Sequence, residues 1–167
     1  KDIIPEALKV LYRLQATDHC GYLAGGCVRD LLLHRTPKDF DVVTDAHPNR
    51  VRSLFRNCRL IGRRFRLAHV VFPNIIIEVA TFRAAAGHQE VEQDGTLPKG
   101  HALKTSEGMI IRDNLFGTPE EDALRRDFTL NALFYNIADF SIIDFVNGVD
   151  DLNAGLIRSI GDPRVRF

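Results

Sequence analysis

A chain of 167 residues suits one domain, and a hydrophobic share of 45% with a charged share of 26% fits a globular protein with a real core. Lys plus Arg and Asp plus Glu each number 22, so net charge argues neither for nor against a nucleic-acid partner and only its distribution can speak. No apolar run is long enough to span a bilayer and no signal peptide is visible, which excludes a helical membrane anchor within these residues.

Pro5, Leu8, Leu11, Tyr12 and Leu14 predict an amphipathic helix over 5–16 with Pro at its start. Gly21 to Ala24 reads as a short strand ending at Gly25-Gly26, and Val28 to His34 as a helix with Leu31, Leu32 and Leu33 mostly inward. Phe40 to Thr44 is a strand and Pro48 to Phe55 a short helix. Runs 58–62, 66–72 and 75–82 are rich in Val, Ile and Phe and favour strands. Residues 84–117 carry Gly87, Gly95, Gly100 and Gly108 with no clear period. A loop this long inside a compact domain is usually mobile or functional, and this one is expected to be poorly ordered.

Thr118-Pro119-Glu120-Glu121 is a helix start, with Thr as N-cap, Pro at N1 and Glu at N3. The helix is expected to reach about Phe134, with a break near Asp127. Residues 135–160 then give two short strands around the turn-rich Asn147-Gly148-Val149-Asp150-Asp151. The class is α+β: one mixed or antiparallel sheet with helices packed on it. Residues 1–160 are expected to form the domain and 161–167 to begin a linker, with both ends cut from a longer protein. Cys20, Cys27 and Cys58 form no CxxC pair and have no His cluster at zinc spacing, so they read as reduced, partly buried thiols of a cytosolic protein.

The chemistry concentrates first in Asp39-Phe40-Asp41-Val42-Val43. Acids at i and i+2 of a strand project from one face, with Phe40 and Val42 toward the core. Two adjacent carboxylates raise each other's pKa, and a cation relieves that repulsion. Mg2+ (or Mn2+) takes a few carboxylates together with waters and substrate phosphates, and a two-metal site can activate a hydroxyl and stabilise a leaving pyrophosphate. Asp-x-Asp is equally at home on a solvated strand end. Glu78, within the apolar run Ile75-Ile76-Ile77-Glu78-Val79-Ala80, needs a cation or hydrogen bonds if buried. It reads either as a third metal-site acid or as a partner of an arginine such as Arg83.

Gly25-Gly26-Cys27-Val28-Arg29-Asp30 follows a strand and opens a helix. Glycines let backbone N–H groups approach phosphate, and Arg29 can grip a triphosphate through two parallel hydrogen bonds. The plain alternative is a tight turn, with Arg29 bridged to Asp30 or Asp41. No Gly-Lys-Ser/Thr follows, so this is not a Walker motif. From Arg50 to Arg66 stand seven arginines (50, 52, 56, 59, 63, 64 and 66) and no acid, a local basic run suited to RNA phosphate or, equally, a set of solvated side chains.

Together, the glycine turn and the acid pair resemble the class II branch of the polymerase-β-like nucleotidyltransferases, which holds tRNA CCA-adding enzymes and bacterial poly(A) polymerases. A third block, Glu120-Glu121-Asp122-Ala123-Leu124-Arg125-Arg126-Asp127-Phe128-Thr129-Leu130-Asn131-Ala132-Leu133, is similar to the family's Arg-Arg-Asp-Phe-Thr motif. Within the branch, the run from Cys58 to Val70 and Ile111-Arg112-Asp113-Asn114-Leu115-Phe116-Gly117 resemble bacterial poly(A) polymerases. The resemblance implies a nucleotidyltransferase head and template-independent addition of AMP from ATP to RNA 3′ ends. It implies that Asp39 and Asp41 hold Mg2+, that Asp127 is a further active-site acid, and that Gly26, Arg29 and Arg126 contact the nucleotide with Gly25 as backbone support. It also lets the 84–117 segment close over primer or nucleotide. Read locally, Asp127 is an N-cap for a helix starting at Phe128, and Arg125 more than Arg126 pairs with Glu121 or Asp122 one turn back. CCA addition is the near alternative. A glycosyltransferase using Asp-x-Asp is opposed by the glycine block, and a non-catalytic RNA or nucleotide-binding module by the intact acids. In the family the base-choosing residues lie in a helical neck after the head, so base choice is not expected to be written here.

Overall fold

The structure is a computed structural model that describes residues 2–84 and 116–167. Helix α1 (Pro5–Ala16) forms as the periodicity predicts: Ala7, Val10, Leu11 and Leu14 are buried at helical spacing, while Tyr12 faces solvent. Strand β1 (Gly21–Ala24) runs into α2 (Gly26–Leu32), β2 (Asp41–Thr44) follows, and α3 (Pro48–Leu54) leads to β3 (Cys58–Ile61), β4 (Leu67–Val71) and β5 (Ile76–Thr81). After the undescribed stretch come α4 (Pro119–Leu124), a 3-10 turn (Thr129–Asn131), β6 (Leu133–Asn136), β7 (Ser141–Asp144), α5 (Gly148–Asn153) and α6 (Pro163–Arg166).

The strands form one seven-stranded sheet in the order β3-β4-β5-β2-β1-β6-β7. Only the β2–β5 pair is parallel; the others are antiparallel, so the sheet is mixed and the class is α+β. Side-chain alternation divides its two faces. Leu23, Val42, Val70, Ile77, Val79 and Leu133 turn toward α1, α2 and α3 and make the larger core. Their neighbours Ala24, Val43, Ala80 and Phe134 turn the other way, where Phe82, Ala123, Ala132 and Ile160 make a smaller one.

Two expectations fail after Thr118. The capping box is present, with Thr118 Oγ1 accepting from the Glu121 N–H and the Glu121 carboxylate accepting from the Thr118 N–H. But the helix does not reach Phe134: it ends at Leu124, and Leu133 and Phe134 belong to a strand. Tertiary pairing overrides helix propensity here. Phe128 bridges to Ser159, the Ile160 N–H donates to the Asp127 carbonyl, and Thr129 Oγ1 donates to Asp151. The second failure is the turn-rich 147–151, which is the start of helix α5. The Asp144 carboxylate accepts from the N–H groups of Val146, Gly148 and Val149 and fixes its first turn. The two late strands pair with each other ahead of it.

The long loop lies outside the described residues apart from its edges. There Arg83 bridges to Phe116, and the Gly117 N–H donates to the Phe82 carbonyl. Gly117 packs so closely on Ala84 that a Cβ would lie 2.7 Å from the Ala84 Cα. At the far end, Arg166 Nη1 and Nη2 donate to the carbonyls of Arg125 and Leu124, docking α6 on the end of α4. Among the described residues, no helix is long and apolar enough to cross a membrane.

Candidate active site

Sheet register builds the site. Asp41 opens β2 and stands in register with Glu78 of β5 on one side and Ala24 of β1 on the other; Ala24 in turn pairs with Phe134 of β6. Because Ala24 ends β1, the Gly25-Gly26 turn leaves the sheet at the level of Asp41. Gly25 adopts φ 74°, a left-handed conformation that favours glycine. Phe40 and Val42 are buried in the helix-side core, so Asp41 is turned to the opposite face. Asp39 lies just ahead of the strand and is exposed.

The Asp41 carboxyl is pushed above its ordinary pKa. Loss of hydration is the largest cause, then repulsion from Glu78 and Asp39; Arg126 works in the opposite direction. The carboxylate still touches solvent at the mouth of the site, so the desolvation is partial. The repulsion from Glu78 follows from the register that sets it beside Asp41. Glu78 is not the buried acid that its apolar run suggested: its side chain is 41% exposed. Nor does it pair with Arg83. His69 Nε2 lies 3.5 Å from its carboxylate, and the Arg83 guanidinium lies over the Phe65 ring, 4.5 Å from its centroid.

Two guanidiniums flank the glycine turn, and that of Arg126 lies over the Phe134 end of the Glu78–Asp41–Ala24–Phe134 row. Arg29 Nη1 donates to Asn131 Oδ1 at 2.8 Å, while its Nε and Nη2 reach Asp30 Oδ1 at 3.1 and 3.0 Å. Arg126 Nη2 pairs with Asp122 Oδ2 at 3.0 Å, its Nη1 donates to the Asn131 carbonyl at 3.5 Å, and its guanidinium lies over Phe134. A Cβ on Gly25 would come within 3.3 Å of Arg126 Nη1, and one on Gly26 within 3.3 Å of Arg29 Nη2. The glycine pair therefore gives room to both arginines as well as to any phosphate. The buried Arg126 Nε has no hydrogen-bond partner among the described residues.

That cavity holds about 290 Å³ and is lined by Asp41, Glu78, Asp122, Arg83, Arg125 and Arg126, with Val43 and Ala80 on its floor. Of the residues singled out in the sequence, Asp41, Glu78 and Arg126 meet here, with Gly25, Gly26 and Arg29 at the adjoining turn. Asp127 is not among the lining residues. Its carboxylate is 68% exposed and lies 3.9 Å from Arg166 Nη1, and it caps no helix: the 3-10 turn has Phe128 as its N-cap, with no side-chain cap. The acid that this block turns into the cavity is Asp122, which also accepts from the Arg83 N–H. Arg126 makes one of the i−4 pairs that the sequence suggested, with Asp122.

Sequence reading missed Asn131 and the second role of Asp122. The i−4 spacing announced the Asp122–Arg126 pair, but not the bond from the Arg83 N–H to Asp122 or its place in the cavity. Asn131 meets Arg29 across 102 residues, and no local pattern announces that. The thiols behave as expected: all three are free, and burial pushes Cys20 and Cys27 up to about 11, away from reactivity.

Comparison with solved structures places this fold among nucleotide-adding enzymes. The Bacillus stearothermophilus CCA-adding enzyme in complex with CTP superposes with a TM-score of 0.74 at 30% identity, covering 99% of this chain and 36% of that one. The chain belongs to the poly A polymerase head domain family, which matches residues 21–158. Poly(A) polymerase I of Salmonella typhi is 58% identical over all of this chain, and a CCA-adding enzyme of Lactobacillus helveticus is 35% identical over 99% of it. The chain spans 35% and 37% of the length of these two relatives.

Proposed function

We propose that the protein carrying this chain adds AMP from ATP to RNA 3′ ends without a template. The observation that carries the reading is the register of Asp41 with Glu78, directly beside the Gly25-Gly26 turn and under Arg126. In this reading, Arg126 and Arg29 hold the triphosphate, and the close backbone at Gly25 and Gly26 admits its oxygens. The RNA 3′-hydroxyl gives up its proton to solvent and attacks the α-phosphate in line, the α–β phosphoanhydride bond breaks, and pyrophosphate leaves with the bond's electron pair.

The residues suit a divalent metal. Among the described residues, no three His, Cys, Asp or Glu side chains are grouped to hold an ion alone, but Asp41 is crowded by Glu78 and Asp39. One or two carboxylates completed by waters and substrate phosphates are what Mg2+ takes. Asp39 and Asp41 would hold it, with Glu78 beside them. A bound Mg2+ supplies charge stabilisation at the reacting phosphate and lowers the pKa of the attacking hydroxyl. Asp127, by contrast, would serve by holding Arg166 and through it the end of the domain.

CCA addition is the second reading, favoured by the likeness to the CTP-bound structure. The greater identity to poly(A) polymerase I favours polyadenylation. The test is incorporation by the full-length protein, with each nucleoside triphosphate supplied separately, on a generic RNA and on a tRNA lacking its 3′ end. A long A tail on generic RNA is expected. Addition confined to C and A on tRNA points to CCA synthesis, and incorporation retained by Asp41→Ala defeats both.

A further inference from the structure

The seven arginines between positions 50 and 66 do not form one patch. Arg52 and Arg56 gather with Arg13 around a hollow at the end of α3, beside Phe55 and Cys58. Arg63, Arg64 and Arg66 surround a different hollow of about 240 Å³, together with His47, Asn49 and Phe116. Among the described residues no carboxylate lines this second hollow.

The second hollow shares no lining residue with the active-site cavity but neighbours it at two places. Arg66 lines the hollow while the next residue, Leu67, lines the cavity; Phe116 lines the hollow while its bridge partner Arg83 lines the cavity. Phe65 lies at this border, with Arg83 at 4.5 Å and Arg64 at 5.6 Å from its ring centroid. Inside the hollow the His47 and Phe116 rings lie 4.5 Å apart, tilted by 41°. No residue lining the Arg52–Arg56 hollow is a chain neighbour or bridge partner of one lining the cavity.

Forked guanidiniums match the oxygens of phosphate, and ring faces accept bases of any sequence. A stretch combining both, and lying beside the cavity that holds Asp41, suits a chain of nucleotides more than an acidic peptide, which has no use for the rings. We propose that the Arg63–Arg66–His47–Phe116 hollow binds single-stranded RNA, gripping the nucleotides immediately behind the 3′ end that reaches Asp41. This rests on the reading of the protein as one that extends RNA, and it assigns the track by which the primer enters.

The test is equilibrium binding of a 5′-fluorescein-labelled A15 oligoribonucleotide to the full-length protein, by anisotropy, without ATP or Mg2+ so that no turnover occurs. Arg63→Ala/Arg66→Ala is expected to weaken binding about tenfold near 0.15 M salt and to lower the slope of log affinity against log salt by about 1.4, the value for two lost phosphate contacts on a single strand. ATP binding, read by calorimetry, stays unchanged. Arg52→Ala/Arg56→Ala removes the same charge and is expected to change A15 affinity less than twofold. Arg63→Lys/Arg66→Lys keeps charge and fold but loses the fork, and is expected to lie between. Equal weakening by both alanine pairs reduces the effect to net charge and overturns the proposal. So does unmoved affinity in the Arg63/Arg66 pair, or displacement of A15 by an oligoglutamate peptide of equal affinity. Failure of the RNA-extending reading looks different: Asp41→Ala retains incorporation whatever the binding curves show.

Discussion

The two faces of the sheet are made from the same strands, yet they obey different rules. On the helix-covered face, Leu23, Val42, Val70 and Ile77 are fully or almost fully buried among apolar neighbours, and every position serves packing. One residue along each strand, the opposite face carries Asp41, Glu78 and His69, and its apolar core retreats to the rim around Phe82 and Phe134. Among the described residues α4 packs on it, contributing Asp122 to the cavity as well as Ala123 to the core. The sheet thus keeps its stability on one side and concentrates unfavourable charge on the other, where a substrate or cation can offset it.

Substitutions one residue apart should separate these faces. The largest effect is expected from Asp41→Asn: nucleotide incorporation falls at least about a hundredfold, the scale for losing one preorganised electrostatic group, while the melting transition is preserved. Loss of folding instead would mean that Asp41 belongs to the packing side of the comparison. Next, Ile77→Ala, in the β5 position beside Glu78 but facing the helices, should cost about 3 kcal/mol in denaturant unfolding, with KM for nucleotide unchanged where the protein remains folded.

Asp122→Ala tests the position shared by both faces. It strands the Arg126 guanidinium and removes the acceptor for the Arg83 N–H, so about 2 kcal/mol of stability should go together with a higher KM for nucleotide. Asp122→Asn keeps one acceptor oxygen and should recover most of the stability but not the KM. If the two readouts recover together, Asp122 is structural only.

What could be read from the chain follows the same division. Alternation along Phe40-Asp41-Val42-Val43 and the α1 periodicity were legible because burial on the covered face leaves a local pattern. The acid pair and the glycine turn were legible because their chemistry needs particular residue types close in sequence. Less visible was anything decided by distant pairing: the strand at Leu133-Phe134, held by β1 and β7, and the link from Asn131 to Arg29. Glu78 shows the limit most clearly. Its apolar neighbours suggested a buried acid, whereas period-two alternation sets it on the open face opposite His69.

The smallest effect is a pH dependence that isolates the charge crowding itself. The folded-state pKa of Asp41 is raised, so folding favours its protonated form. Its contribution is therefore fully present below the unfolded value, about 4, and is lost as pH rises through the raised folded value. Asn at this position cannot ionise and avoids that loss. Melting curves between pH 4 and 8 should show Asp41→Asn more stable than wild type at neutral pH, with the gap closing toward pH 4. Millimolar Mg2+ should raise the wild-type transition at neutral pH and leave the Asn variant nearly unmoved, since a cation bound only by the native state stabilises it by mass action. Added monovalent salt should shrink the gap as well, because the carboxylates remain partly in solvent where screening acts. Identical melting of the two proteins at every pH would mean that Asp39, Asp41 and Glu78 already share their charge with solvent, and that the open face carries no stored repulsion for a metal to relieve.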